Sequence, residues 1–246
     1  MARPDHSTGR GRAFLGAIPI LAPCTRAIMR RLDPVRREKH RLMNDPSIDL
    51  FQPFPTTGED RYPLLFAELA RKLDGMERPR ILSYGCASGE EVRSLRRHLP
   101  HAEIVGLDPN RLAIAKAREQ DGHSLSSYRI ADAPDPDETF DAILAMAVFR
   151  HGSLEDDAPA TCTAIMPFAR FAAGVARLDR VLAPGGWLAI WHSHFRFADC
   201  AVAAAYEADR FTMADHDPMT VMYGPDNRRI DTISERAVLY RKRQTM

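Results

Sequence analysis

From about residue 60 onward, the hydrophobic positions of this 246-residue chain alternate between two periods. Apolar runs of strand length stand at 80–84 (RILSY), 102–107 (AEIVGL), 127–131 (SYRIA), 140–146 (FDAILAM) and 186–192 (GWLAIWH). Between and around them lie segments whose apolar residues recur every three or four positions: RYPLLFAELARKL, EEVRSLRRHL, NRLAIAKARE and FARFAAGVARLDRVL. Short continuous apolar runs suit strands buried on both faces, and the longer period suits amphipathic helices. Asp60 is placed to cap the first helix, with Pro63 in its first turn. Strands alternating with helices imply right-handed crossovers and an α/β, doubly wound, mostly parallel sheet. The rhythm breaks at the end, where TVMYGPDNRRI and RAVLYRKR predict two strands forming a closing antiparallel pair.

Charge divides the chain. Residues 1–42 carry ten Lys/Arg against three acids, and the remaining 204 carry 24 against 30. A mildly acidic body disfavours a nucleic-acid backbone as partner. Residues 1–45 are expected to be a basic, flexible extension, and 46–246 a single domain. The leader contains an apolar stretch, 13–24, without a clean small-residue cleavage site. No apolar run approaches the roughly 18 residues that span a bilayer, so no membrane partner is expected. Cys24, Cys86, Cys162 and Cys200 lie far apart, which suits a reducing, cytoplasmic setting and argues against a structural zinc site.

The stretch ILSYGCASGEEV, residues 81–92, runs a buried strand into a glycine-bracketed turn and then a helix, at the strand end where such sheets bind ligands. A dinucleotide fingerprint needs glycines at 85, 87 and 90; this chain has Ala87 and Glu90. A P-loop needs Gly-Lys where Glu90 and Glu91 stand. Ser88 and Glu91 spell a capping box, and two carboxylates in the first helical turn occupy the place a pyrophosphate would take. The ligand expected here is neutral or cationic, unless Gly85 and Gly89 serve only a tight turn. Asp108, nineteen residues past Gly89, suits ribose hydroxyls or caps the next helix with Pro109 at its first position. Asp132 is placed to accept from an adenine amino group or to close an Asx-turn.

Taken together, GCASG, GLDPN, ADA, FDAILAM and LAPGGWLAI resemble, in order and spacing, the class I S-adenosylmethionine-dependent methyltransferases over roughly residues 60–192. The resemblance implies a seven-stranded sheet with an antiparallel C-terminal strand, and S-adenosyl-L-methionine as cofactor. It implies that Gly85, Cys86, Ala87 and Gly89 line the methionine end. Asp108 and Pro109 would meet the ribose, Asp132 and Ala133 the adenine, and Met146 would lie near the methyl group. Two letters depart from the family: Ser83 where it has an acid, and Ala87 where it has a glycine.

Acceptor-side candidates follow the fourth and fifth strands. His151 is the candidate base or orienting group. Arg150 and Arg196 suit an anionic acceptor, His194 lies on the same loop system, and Tyr62 reaches in from an upstream lid, FPTTGEDRYPLLF. His192 and His194 would share a face if the fifth strand continued, yet no third metal ligand has suitable spacing, so no metal is expected. The expected activity is methyl transfer to a small molecule or protein side chain. The alternatives are a non-catalytic S-adenosylmethionine or S-adenosylhomocysteine binder, an NAD-dependent oxidoreductase, and an RNA methyltransferase using the basic leader.

Overall fold

The computed structural model describes residues 33–52, 57–213, 220–231 and 237–244. The chain divides into two units, Met1–Asn44 and Asp45–Met246. In the first, Asp33 accepts from the amides of Val35 (3.0 Å) and Arg36 (3.3 Å), and Pro34 follows it. That is a strong helix start, and helix α1 (Pro34–Asn44) forms where a flexible extension is expected. The apolar leader stretch, 13–24, lies outside the described residues.

The second unit runs α2 (Pro63–Lys72), β1 (Arg80–Tyr84), α3 (Glu90–His98), β2 (Glu103–Asp108), α4 (Arg111–Gln120), β3 (Ser126–Ile130) and β4 (Phe140–Met146). It continues with α5 (Gly152–Asp157), α6 (Phe168–Val181), β5 (Leu182–Trp191), β6 (Tyr206–Ala208), β7 (Met222–Tyr223), β8 (Arg229–Ile230) and β9 (Leu239–Lys242). Seven strands form one sheet in the order β3-β2-β1-β4-β5-β9-β6. β1 to β5 are parallel, and β9 runs antiparallel to both its neighbours.

Alternation along each strand splits the core in two. Leu82, Val105, Leu107 and Ile143 pack toward Phe171, Val175 and Leu178 of α6. Ile81, Ile104, Ala142 and Leu144 pack toward Leu65, Phe66 and Leu69 of α2 and Val92 and Leu95 of α3. Each fully buried side chain of this size contributes about 2 kcal/mol of apolar transfer. The strand order reverses between β1 and β4, which opens a crevice at their carboxyl ends.

Three local expectations are corrected. Asp60 does not cap α2: its backbone is left-handed (φ 53°), its carboxylate pairs with Arg97, and Tyr62 holds the cap position. β5 starts four residues early, at Leu182, because α6 leads into it directly and an irregularity between Phe140 and Ala142 accommodates Pro184. The C-terminal runs do not pair with each other. TVMYGPDNRRI folds on itself as β7–β8, and β9 pairs instead with β5 and with β6, a short strand the periodicity does not reveal.

Candidate active site

The turn after β1 has three left-handed residues, Gly85 (φ 74°), Ala87 (φ 47°) and Gly89 (φ 82°). Glycine takes this conformation freely, whereas Ala87 is strained by about 1–2 kcal/mol. A Cβ on Gly85 would lie 2.6 Å from Val148 Cγ2, so the chain leaving β4 closes tightly on this turn. Four of the turn's five amides are spent internally. Those of Gly85 and Cys86 donate to the Leu107 carbonyl (2.8 and 2.9 Å), that of Gly89 to the Cys86 carbonyl (2.9 Å), and that of Ala87 to Asp108 Oδ2 (2.9 Å). A phosphate nest needs such amides aimed outward, so this turn is not one.

The expected capping box is absent. Gly89, left-handed, holds the cap of α3 with no side-chain cap bond, while Ser88 Oγ donates to both oxygens of Glu90 (2.8 and 2.9 Å). Glu90 also faces Arg93 and Lys116 at 3.7 and 3.9 Å. Glu91 turns back to the sheet, where Ser83 Oγ donates to its Oε1 at 2.7 Å. Burial pushes the Glu91 carboxyl up to about 7, against the lowering effects of Ser83 and of Arg61. It is largely packed round by protein yet keeps a partly accessible surface.

Asp108, at the end of β2, ties strand to turn: Oδ2 takes the Ala87 amide and Oδ1 the Asn110 amide (2.8 Å). It is not the helix cap. Asn110 is, accepting from Leu112 and Ala113, which places Pro109 just ahead of the cap. Asp132, past β3, accepts the Asp49 amide on Oδ2 at 2.7 Å, and Tyr84 Oη donates to the Asp132 carbonyl at 2.8 Å. Asp49 belongs to a strap, residues 45–52. Its carboxylate pairs with Arg170 (2.6 Å) and Arg177 of α6. Phe51 anchors the strap edge-on against Phe149 at 4.9 Å. Ala133 is half-buried beside Asp132, and Met146 ends β4 nearly buried.

Past β4, Arg150 Nε pairs with Glu155 Oε1 at 3.0 Å, and its Nη1 lies 3.4 Å from His192 Nδ1. His151 caps α5, its Nδ1 accepting the Ser153 amide at 3.2 Å. In the neutral ring, the remaining proton then sits on Nε2. Burial first, then His194 and Arg170, holds His151 below the ordinary histidine value. His194 is fully buried. Its Nε2 accepts the His151 amide at 3.0 Å and its Nδ1 donates to the Val221 carbonyl at 2.7 Å. It therefore ties three loop segments together and does not line an acceptor pocket. Arg196 forms a two-pronged pair with Asp199 (3.0 Å each). Tyr62 is buried, its ring 6.2 Å from that of His192. Left-handed His192 (φ 52°) ends β5 at Trp191, so His192 and His194 do not continue one strand face. Among the described residues, no three His, Cys, Asp or Glu side chains are grouped to hold a metal.

Sequence reasoning did not reach the strap of Asp49 and Phe51, or its partners Arg170, Arg177 and Tyr84. Asp49 lies 83 residues from Asp132 in sequence, and no local pattern signals the contact.

Residues 82–190, from β1 through β5, match the family model described as a methyltransferase domain. Over that span, less than half of the chain, it is similar to methyltransferase domains. It is 34% identical over 90 residues to the ubiquinone biosynthesis O-methyltransferase of Bradyrhizobium sp. (strain ORS 278), covering 35% of each protein. It is 33% identical over 116 residues to the demethylmenaquinone methyltransferase of Thermus thermophilus, covering 45% of this chain and 46% of that one. These matches thus span less than half the length of the relatives. The plantazolicin methyltransferase BpumL, solved with S-adenosylhomocysteine, aligns at 17% identity over 67% of this chain and 55% of its own, with a TM-score of 0.40.

Proposed function

We propose that this protein is an S-adenosylmethionine-dependent methyltransferase acting on a small molecule or a protein side chain. One observation carries the reading: the turn at the strand-end crevice spends its amides internally and presents carboxylates, Glu91 and Asp108. That arrangement repels a pyrophosphate and suits a cationic nucleoside, which disfavours an NAD-dependent oxidoreductase.

The residues present fit the cofactor. Gly85, Cys86, Ala87 and Gly89 form the floor under its methionine end, Asp108 and Pro109 meet the ribose, Asp132 and Ala133 the adenine, and Met146 borders the methyl group. When bound, S-adenosylmethionine supplies an electrophilic methyl group on a good leaving group. The protein's task is then alignment and exclusion of water. His151, carrying its proton on Nε2, donates a hydrogen bond that orients the acceptor. It takes a proton only by releasing the Ser153 amide from Nδ1. Arg150, Arg196 and Tyr62 border the acceptor side. No helix among the described residues is long and apolar enough to cross a membrane. Cys86, Cys162 and Cys200 are buried and form no disulfide, which supports a reducing, cytoplasmic setting.

Thermal unfolding with candidate cofactors tests this. S-adenosylmethionine or S-adenosylhomocysteine at a hundredfold excess over Kd should stabilise the protein by about 2.7 kcal/mol, and Asp108→Ala should abolish the effect. Stabilisation by NAD in their place would sink the reading. Cofactor binding without turnover over a broad acceptor panel would instead favour a non-catalytic binder.

A further inference from the structure

We infer that Glu91 is the residue that receives the cationic methionine end of the cofactor, and that Ser83 positions it. This rests on the methyltransferase reading and names a binding group that the family's usual position, occupied here by Ser83, does not supply.

The carboxylates around the crevice are engaged to different degrees. Glu90 is held by Ser88 and faces Arg93 and Lys116. Asp108 accepts two backbone amides and serves as the joint between β2 and the turn. Glu91 has a single hydrogen-bond partner among the described residues: Ser83 fixes Oε1 at 2.7 Å, and Oε2 accepts nothing. Ser83 is fully buried, and in the sheet it stands beside Gly106 of β2 and Leu144 of β4. The carboxylate it holds therefore lies at the strand-order reversal, one residue along β1 from the turn.

The groups that face this carboxylate are few. Ser83 comes from β1, Arg61 from the exposed stretch before α2, and Cys86 from the turn, while Glu90, next on the helix, turns to Ser88, Arg93 and Lys116. Arg61 acts on it only through the longer-range charge interaction, with no hydrogen bond between them. A carboxylate largely withdrawn from water, with one oxygen that no protein group claims, is unfavourable in the bare protein. A ligand cation removes that penalty, and groups poised in this way concentrate at binding sites. The ammonium and sulfonium of the cofactor are such cations. Their arrival completes an ion pair, and any proton on the carboxyl passes to solvent.

Titration calorimetry of the full chain with S-adenosylmethionine and S-adenosylhomocysteine, at pH 6, 7 and 8 and in buffers of different ionisation enthalpy, tests the assignment. The wild type should bind more tightly as pH rises through neutrality and release a proton on binding. Glu91→Gln should raise Kd by about tenfold or more and abolish both the proton release and the pH dependence. Adding Ser83→Asp to Glu91→Gln should restore much of the affinity, which a merely structural role for Glu91 would not permit. Equal losses for both ligands would place the pair on the ammonium, and a loss confined to S-adenosylmethionine would place it on the sulfonium. Either supports the inference. Glu91→Gln binding within twofold of wild type, with proton release intact, would overturn it. A wild type that binds neither ligand would overturn the methyltransferase reading beneath it.

Discussion

The imidazole of His194 accepts the backbone amide of His151 at 3.0 Å while its other nitrogen donates to the Val221 carbonyl at 2.7 Å. One neutral ring thus joins the chain after β4, the chain after β5 and the segment entering β7. A side chain with both nitrogens committed and no exposed surface belongs to the scaffold, although it lies within reach of the proposed acceptor pocket.

His194→Phe keeps the volume and removes both bonds. Each buried backbone group left without a partner costs about 1–3 kcal/mol, so a loss of about 3 kcal/mol is expected in urea unfolding. Burial lowers His194 and His151 below the ordinary value of 6.5. For a depressed value, the unfolded chain takes up protons first as pH falls. The stability these neutral rings contribute is therefore complete above about pH 6.5, and it is lost as pH drops toward their lower folded values. Unfolding curves from pH 8 to pH 5 should decline more steeply in the wild type than in His194→Phe.

The strap gives a second expectation. The Asp49 carboxylate neutralises Arg170 and Arg177, all three being only partly exposed. Partly buried pairs with charge-assisted hydrogen bonds exceed the surface median, so Asp49→Asn should cost about 1–2 kcal/mol. The Asp49 amide still reaches Asp132 in that variant. Cofactor affinity should therefore fall less than in Asp132→Ala, where the carboxylate itself is gone. Calorimetric titration of the two variants side by side checks the order.

Much of this architecture was legible because the strands are buried on both faces and spelled by unbroken apolar runs: β1 and β4 fall where RILSY and FDAILAM predict them. The C-terminal region was harder to read. β6, β7 and β8 are two or three residues long, too short for any period, and β9 finds its neighbours only in the folded sheet. The places of Gly85, Asp108 and Asp132 at the ends of β1, β2 and β3 were legible in the same way. The capping box at Ser88 and Glu91 could not be judged from spelling. It needs an extended cap residue, and left-handed Gly89 takes that place, which frees Glu91 to turn toward Ser83. The His194 tie and the Asp49 strap join residues 43 and 83 positions from their partners, so no local pattern carried them.

Ala87 sits left-handed at φ 47° between two left-handed glycines. Replacing it with glycine relieves about 1–2 kcal/mol of backbone strain. The same change adds about 0.4–1 kcal/mol of unfolded-chain entropy that folding must overcome. The strain term is the larger, so Ala87→Gly should raise stability by about 0.5 kcal/mol. The turn keeps its shape, and cofactor affinity should stay within about twofold. A destabilised Ala87→Gly variant would show that the Ala87 methyl packs usefully enough to outweigh its strain.

Glu91 makes the sharpest prediction, because stability and binding should move in opposite directions. Its folded value, about 7, lies above the ordinary 4.5. The folded protein therefore holds a proton that the unfolded chain releases between those two values. The stability gained from that retained proton is fully present below pH 4.5 and is lost as pH rises through about 7. Well above pH 7 the cofactor-free protein carries a largely desolvated charge, an effect on the order of 3 kcal/mol. Glu91→Gln removes that burden, so it should stabilise the cofactor-free protein at pH 8 by more than at pH 5. With saturating S-adenosylmethionine the ranking should reverse at pH 8, since only the wild type has a carboxylate to pair with the cation. A carboxylate retained purely for packing would give the first result without the second, and thermal unfolding of both proteins with and without cofactor reads out the difference.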